Sequence, residues 1–284
     1  MKTAVCCIIK QENLYLRDFI EYHKNIGFDN VILYDNNDEK GEYPQQVIGD
    51  HIRSGFVIYE DCRGKYPYQL EAYGKCYSKY ATQFDWIAFI DCDEFIEITS
   101  GMKIHEYLSQ SCFDKALVIP LYWLSYGDNG LLHYDKRPVY ERFLIPKDPY
   151  LTNFHVFKFI IKCYKELKIT FEDSNHFKWE LTKSTPNFCS NTILANGEFK
   201  DDSKRLYDMC CYEGAYLKHY HTLTIDEFLT RRLGRRTYAD GLSITKERIL
   251  GIFWEFNEKT PEKEKIIDDF LDYYKIFEEI NDKK

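Results

Sequence analysis

The chain has 284 residues, of which 44% are hydrophobic, and this is enough to bury one large core or two small ones. Its formal net charge of -8 at pH 7 argues against nucleic-acid-binding proteins, which usually present a basic face. No apolar run reaches the roughly 18 residues that a membrane-spanning helix needs, and Met1 leads into a strand-like run instead of a signal peptide. We therefore expect a cytoplasmic protein, for which a peripheral contact with the inner face of the membrane stays open.

The ten cysteines contain no Cys-x-x-Cys pair and no histidine spacing typical of zinc sites. Most of them lie inside apolar or aromatic runs. This pattern indicates free, buried thiols in a reducing compartment.

Four short apolar runs in the first hundred residues have the length of buried strands, and they lie at 3–9, 30–34, 56–59 and 86–90. Helical periodicity fills residues 14–26, before Gly27, and residues 68–80. The alternation predicts an α/β fold with a mostly parallel sheet and helices on its faces. Because the carboxyl ends of parallel strands meet at one edge, we expect four acids to converge there: Glu12, Asp35, Asp61 and Asp91.

The stretch at residues 86–97, WIAFIDCDEFIE, organises the rest of the chain. An apolar strand runs directly into Asp91, Asp93 and Glu94, whose carboxylates repel one another unless a cation or a hydrogen-bond network offsets the repulsion. A hard divalent cation, Mg²⁺ or Mn²⁺, suits two carboxylates and a phosphate-bearing ligand. The alternative is that two acids cap a strand by chance. No glycine-rich phosphate loop is present, which disfavours dinucleotide-binding and P-loop proteins.

The second half of the chain is less regular. Strand-like runs lie at 116–124, 138–143 and 155–161, and a polar excursion covers residues 182–208. Thr224 and Glu227 form a capping box for a helix through about Arg236, and residues 245–280 are helical and amphipathic. Without a repeat or a low-complexity linker, we expect one catalytic domain at residues 1–240 and a helical extension packed on it at 241–284.

Taken together, these segments resemble the bacterial branch of the glycosyltransferases related to families 2 and 92, which adopt the GT-A fold. The resemblance covers residues 3–236 and departs from relatives at Gln11 and at the loop pair Asp128-Asn129. It implies a GT-A-like (Rossmann-like), mostly parallel central sheet flanked by helices, with a C-terminal helical extension. The segments that carry it are IIKQEN, RDFIEYHKNIGF, VILYDN, QLEAYGKCYSKY, WIAFIDCDEF, LYWLSYGDNG, KFIIK and LKHYHTLTIDEFLTRR.

The resemblance implies transfer of a sugar from a nucleotide-sugar, most often a UDP-sugar, to a glycan or lipid-linked glycan acceptor in surface polysaccharide or lipooligosaccharide synthesis. Asp93 is the first candidate for a ligand of Mn²⁺ or Mg²⁺, and Asp91 is the second, on the metal or on the ribose. His219 is the candidate for a third ligand, in competition with His176 and His221. Its alternative role is that of a packed, hydrogen-bonded ring.

Further side chains are candidates for holding the donor. Glu12 and Asp35 would contact uracil and ribose, although Glu12 could cap a helix and Asp35 could form a turn. Gln69 could reach the nucleotide or be solvated. Four residues could supply positive charge to the diphosphate: Lys158, Lys162, Arg231 and Arg235. For the two arginines, the alternative of a solvated helix face is favoured.

An inverting transfer needs a general base near the acceptor hydroxyl, and the candidates are Asp128 and Glu141. Glu141 could instead pair with Arg142, and a retaining transfer needs no such base, so the stereochemistry stays open. Haloacid dehalogenase-type phosphatases carry Asp-x-Asp after their first strand, whereas here it follows the fourth. Nucleotidyltransferases usually carry a glycine-rich loop after the first strand, which this chain lacks. The third alternative is a non-catalytic glycan- or nucleotide-binding module, against which the intact acids argue.

Overall fold

The computed structural model describes residues 1–65, 68–149, 155–173, 176–183, 188–233 and 246–281. The chain divides into two units, the first formed by Met1–Leu124 with Pro149–His219 and the second by Ser125–Asp148 with Tyr220–Lys284. The predicted boundary at residue 240 lies outside the described residues and stays a prediction.

Eleven strands and eight α-helices are defined within these ranges. The strands are β1 (Thr3–Ile9), β2 (Asn30–Asp35), β3 (Val57–Asp61), β4 (Trp86–Phe89), β5 (Glu94–Ile98), β6 (Ala116–Ser125), β7 (Phe157–Lys162), β8 (Leu167–Phe171), β9 (Phe177–Leu181), β10 (Asn191–Thr192) and β11 (Ala215–His219). The helices are α1 (Asn13–Asn25), α2 (Gln45–Arg53), α3 (Gln69–Tyr80), α4 (Ile104–Leu108), α5 (Val139–Arg142), α6 (Ile225–Leu233), α7 (Lys246–Phe256) and α8 (Pro261–Asn281).

A large sheet forms the centre of the first unit, with the strand order β3-β2-β1-β4-β7-β6-β11-β5 and β10 beside β6. Strands β1 to β4 are parallel, as are β10 and β6, whereas β7 lies antiparallel to β4 and β6, and β5 antiparallel to β11. The central strand β1 is fully buried from Ala4 to Cys7, as expected for a parallel strand covered on both faces. The predicted α/β fold with a mostly parallel, helix-flanked sheet is confirmed.

The structure also differs from the sequence pattern. Residues 139–142 form helix α5, whereas the pattern predicts a strand at 138–143. Val139 and Arg142 are both buried and lie three residues apart on one helical face, and Pro138 directly precedes the helix. The pattern does not predict α2, β5, the β8–β9 hairpin or β11.

The second unit has its own small core, in which Ile225, Phe228 and Leu229 of α6 pack with Phe253 of α7 and Ile267 of α8. The predicted capping box at the start of α6 is confirmed, because Glu227 accepts the Thr224 backbone N–H at 3.2 Å and Thr224 Oγ1 accepts that of Glu227 at 3.4 Å. None of the helices within the described ranges combines the length and apolarity needed to cross a bilayer.

His23 makes the stability of the first unit depend on pH. Its ring is fully buried in α1, donates from Nδ1 to the Phe19 carbonyl at 2.8 Å and accepts the Ile96 N–H at Nε2. Burial lowers the pKa of His23 from 6.5 to about 4, and the bond to Phe19 opposes this only in part. The folded state therefore resists protonation of His23 where the unfolded chain accepts a proton, so its stability is retained above pH 6.5 and lost as the pH falls toward 4.

We expect the free energy of unfolding to fall by about 2 kcal/mol between pH 7.5 and pH 5 because of His23 alone. Urea unfolding at several pH values measures this loss. The variant His23→Gln has no titrating ring at this position, so its profile should be flatter by the same amount. Parallel profiles for the two proteins would show that the pKa of His23 is not lowered in the folded state.

Candidate metal and donor site

The acids of the central stretch lie in a tight turn between β4 and β5. Asp91 donates its backbone N–H to Glu94 Oε2 at 2.9 Å, and the Glu94 N–H donates to the Asp91 carbonyl at 3.1 Å. These reciprocal bonds fix the turn at the carboxyl end of β4. Open α/β sheets bind their ligands at this edge.

Three potential metal ligands meet beside this turn: Asp93, Glu94 and His219. In the antiparallel ladder of β5 and β11, His219 lies directly opposite Glu94. One ligand atom from each of the three residues lies within 4.8 Å of the others, and His219 Nε2 is 3.8 Å from Asp93 Oδ2. Two carboxylates and an imidazole form a donor set that Mn²⁺ accepts readily and Mg²⁺ accepts through its carboxylates.

The surroundings of Glu94 fit a bound cation. Its side chain is fully buried, and Oε1 accepts no hydrogen bond from the described residues. Burial raises the pKa of Glu94 well above its usual value, and repulsion from Asp91 and Asp93 adds to this although Lys158 opposes it. A divalent cation would offset both the desolvation and the repulsion.

Asp91 has a different environment, because three side chains hold its carboxylate. Gln69 and Tyr73 of α3 donate to Oδ1 at 2.8 and 3.0 Å, and Lys158 Nζ lies 2.9 Å from Oδ2. Burial alone would lower the pKa of Lys158, but Asp91 and Glu94 outweigh it and raise that pKa, so the lysine is a cation. The structure thus brings the predicted residues Gln69, Asp91 and Lys158 together, while the metal role of Asp91 stays a prediction.

The other candidates in the first unit do not all lie beside these acids. Asp35 is fully buried and is contacted by Arg63 at 2.9 Å and by the Tyr59 hydroxyl at 2.6 Å. Glu12 is buried at the start of α1, where its side chain does not cap the helix. Lys162 lies opposite Trp86, at the amino end of β4, and is not brought to the acids.

Two candidates of the first unit, Lys162 and His176, contact other residues, and a third candidate lies outside the described residues. Lys162 donates to the Asp114 carbonyl at 3.0 Å. His176 is exposed and lies 2.7 Å from Asp173. Arg235 falls outside the part of the chain that the structure describes.

The remaining candidates belong to the second unit. Asp128 is buried 2.5 Å from the ammonium group of Lys263, and Asn257 accepts its backbone N–H. Glu141 is exposed on α5, and its neighbour Arg142 pairs with Glu227, not with Glu141. Two other candidates lie in this unit. Arg231 is buried in α6, and the ring of His221 lies beside that of Phe256.

Sequence reasoning did not assign three residues of the site. Glu94 belongs to the acidic stretch but is not predicted as a ligand, because the pattern does not predict that β5 begins at this residue. Tyr73 falls in the helix predicted at residues 68–80, in which only Gln69 has a predicted role in the site. The indole of Trp123 lies 4.1 Å from the His219 ring and restricts the orientation of this ring. The period-2 pattern of residues 215–219 could have identified β11 as a strand.

Comparison with known proteins identifies one family. The sequence model of glycosyltransferase family 92 matches residues 2–190, more than half of the chain. A family 92 protein of Ricinus communis is 24% identical over 135 residues, which are 46% of this chain, and one of Oryza sativa subsp. japonica is 27% identical over 108 residues, or 37% of this chain. Both relatives are plant proteins, so these matches do not support the predicted bacterial branch.

The matched regions span only 24% and 18% of the length of these two relatives. Among solved structures, residues 1–349 of S. aureus TarS in complex with UDP give a TM-score of 0.35 at 13% identity, covering 48% of this chain and 38% of that chain.

Proposed function

The chain belongs to glycosyltransferase family 92, and from this membership we propose that it transfers a sugar from a nucleotide-sugar to a glycan hydroxyl. The observation that carries the proposal is the cluster of Asp93, Glu94 and His219 at the carboxyl end of β4. The diphosphate of a donor is the ligand that such a cluster suits, through a shared divalent cation.

Asp93, Glu94 and His219 would hold Mn²⁺ or Mg²⁺. When bound, such a cation neutralises charge that develops on the nucleoside diphosphate as it leaves. Asp91 would accept a hydrogen bond from a hydroxyl of the ribose or of the transferred sugar. Gln69 and Tyr73 fix the orientation of the Asp91 carboxylate for this role.

Lys158 supplies positive charge beside the Asp91 carboxylate, from which its ammonium group lies 2.9 Å away. The same ammonium group lies 4.0 Å from the metal-ligand candidate Glu94. We propose that this lysine adds to the favourable field for the diphosphate. Asp128 is engaged by Lys263, so the exposed Glu141 is the more available of the two predicted bases.

UDP-sugars are the first donors to test, because they are the most frequent donors of the enzymes that the sequence resembles. The acceptor in surface polysaccharide or lipooligosaccharide synthesis and the cytoplasmic location stay predictions. Purified protein should be incubated with a panel of nucleotide-sugars, with Mn²⁺ or with EDTA, and assayed for released nucleoside diphosphate. We expect release from at least one donor with Mn²⁺ and near-complete loss with EDTA.

The rival functions give different readings in this assay. Turnover that persists in EDTA would contradict the metal dependence. Release of pyrophosphate from a nucleoside triphosphate and a sugar phosphate would indicate a nucleotidyltransferase. Tight binding of UDP without turnover of any donor would indicate a binding module.

A further inference from the structure

A groove of about 770 Å³ runs along α3 within the first unit. One wall is α3 itself, another is β8, and one end is formed by Glu60 and Asp61, the last residues of β3. Its floor is apolar or aromatic, with Tyr34, Ile169 and Phe171 all buried, and its rim is polar. The volume lies in the range of about 300–1,000 Å³ that is typical of ligand sites, which also have apolar walls and a few polar groups.

The groove begins beside the candidate donor site. Tyr68 and Leu70 line it, and Gln69 between them donates to Asp91 at 2.8 Å. Asp61 also lines it, at the carboxyl end of β3 and hence at the same edge of the sheet as the acids that follow β4. A ligand in the groove would therefore have one end close to Asp91.

Gly74 keeps the wall of the groove open. It lies in the middle of α3, where glycine disfavours the helix relative to alanine. Packing does not require glycine here, because an added Cβ would meet the Ile169 carbonyl oxygen at 3.7 Å, an ordinary contact distance. Since Gly74 lines the groove, the open wall that a missing side chain provides offers a reason for glycine at this position.

The charges on the rim are nearly balanced. Lys75 lies 2.5 Å from Glu71 and Lys79 lies 2.5 Å from Glu60, so two of the lysines are paired with acids. The other charged groups of the lining are Lys65, Lys168 and Asp61. Such a rim does not select strongly for anions or cations, but it offers donors and acceptors to a ligand with many hydroxyl groups.

We propose that this groove binds the acceptor and that the acceptor is a neutral glycan chain. The inference rests on the proposed function, because it supplies the second substrate of that reaction. Sugar rings would place their apolar faces on the floor, and their hydroxyl groups would bond with the paired charges of the rim. The terminal sugar would then lie at the end of the groove nearest to Asp91.

The test compares Gly74→Gln with Gly251→Gln in the full chain. Glutamine favours helices and carries no charge, so at position 74 it fills the groove, while at the exposed Gly251 of α7 it enters open space. Lys168→Ala, on the exposed rim, is a second variant that leaves α3 unchanged. Each protein is labelled and applied to an array of neutral, uronate-containing and sialylated glycans, and binding of UDP with Mn²⁺ is measured in parallel.

We expect wild type and Gly251→Gln to bind neutral glycan chains. Gly74→Gln should bind the same chains with at least about tenfold lower affinity, or roughly 1.4 kcal/mol. Lys168→Ala should weaken the same chains while UDP binding is unchanged in all variants. Retention of acidic glycans only, no glycan binding, or equal binding by wild type and both groove variants would overturn the acceptor assignment. If UDP with Mn²⁺ also fails to bind to wild type, the proposed function itself is wrong.

Discussion

Replacing Asp93 by asparagine should reduce Mn²⁺-dependent release of nucleoside diphosphate at least about a hundredfold. The substitution removes one carboxylate from the cluster with Glu94 and His219, so the site holds a divalent cation less tightly. The metal-free protein should not be destabilised. Burial raises the pKa of Glu94, and repulsion from Asp93 raises it further, so the loss of one charge relieves this repulsion.

Asp85→Asn is the matched control, because Asp85 directly precedes β4 at the opposite end of this strand, and its side chain is 60% exposed. We expect this variant to keep the wild-type rate and the wild-type increase in Tm on addition of Mn²⁺. Asp93→Asn should lose this increase. Equal rates for Asp93→Asn and wild type in saturating Mn²⁺ would show that the cluster does not hold a catalytic cation.

Replacing Arg142 by methionine should lower the free energy of unfolding by about 3–5 kcal/mol. Arg142 and Glu227 face each other in the second unit with side chains only 1% and 2% exposed, and two N–H groups of the guanidinium donate to the two carboxylate oxygens at 2.8 and 2.9 Å. Without Arg142, the Glu227 carboxylate stays buried and lacks this cation. Urea unfolding followed by tryptophan fluorescence, to which Trp254 of the same unit contributes, measures the loss.

Two variants separate this effect from a general loss of charge. The exposed pair of Arg137 and Asp135 should be worth less than about 1 kcal/mol, so Arg137→Met is the control. The double variant with methionine at both Arg142 and Glu227 should recover much of the lost stability, since no unpaired charge remains. A loss below about 1 kcal/mol for Arg142→Met alone would contradict the buried pair.

The first four strands could be predicted because each is a short apolar run followed by polar residues. Burial on both faces of a parallel sheet makes such runs nearly continuous, and β1 is an example. The same pattern led to the acids after β4, since the carboxyl ends of parallel strands share one edge. Local sequence therefore contained both the parallel half of the fold and the position of the site.

The side-chain contacts within the site could not be predicted from local sequence, because they depend on pairing between distant strands. His219 meets Glu94 only through the register of β11 with β5. Asp91 is held by Lys158 because β7 inserts next to β4 in antiparallel direction. No local pattern specifies either pairing.

Side-chain burial explains the other differences. Residues 138–143 place charged residues among apolar ones, which predicts a strand, yet the buried pair of Arg142 with Glu227 suits a helical turn. Asp128 has a loop sequence typical of an exposed turn, but Lys263 neutralises it in a buried position. Whether an acid is exposed or paired was decided by residues far away in the chain.

We propose that a cation bound by Asp93, Glu94 and His219 contacts the diphosphate of the donor. Crystals grown with MnCl₂ and UDP, measured at the manganese absorption edge, test this claim most directly. We predict an anomalous peak within coordination distance of Asp93 and His219, roughly 2.0–2.3 Å, and of a UDP phosphate oxygen. UDP bound with no manganese at these side chains, or manganese bound elsewhere in the chain, would contradict it.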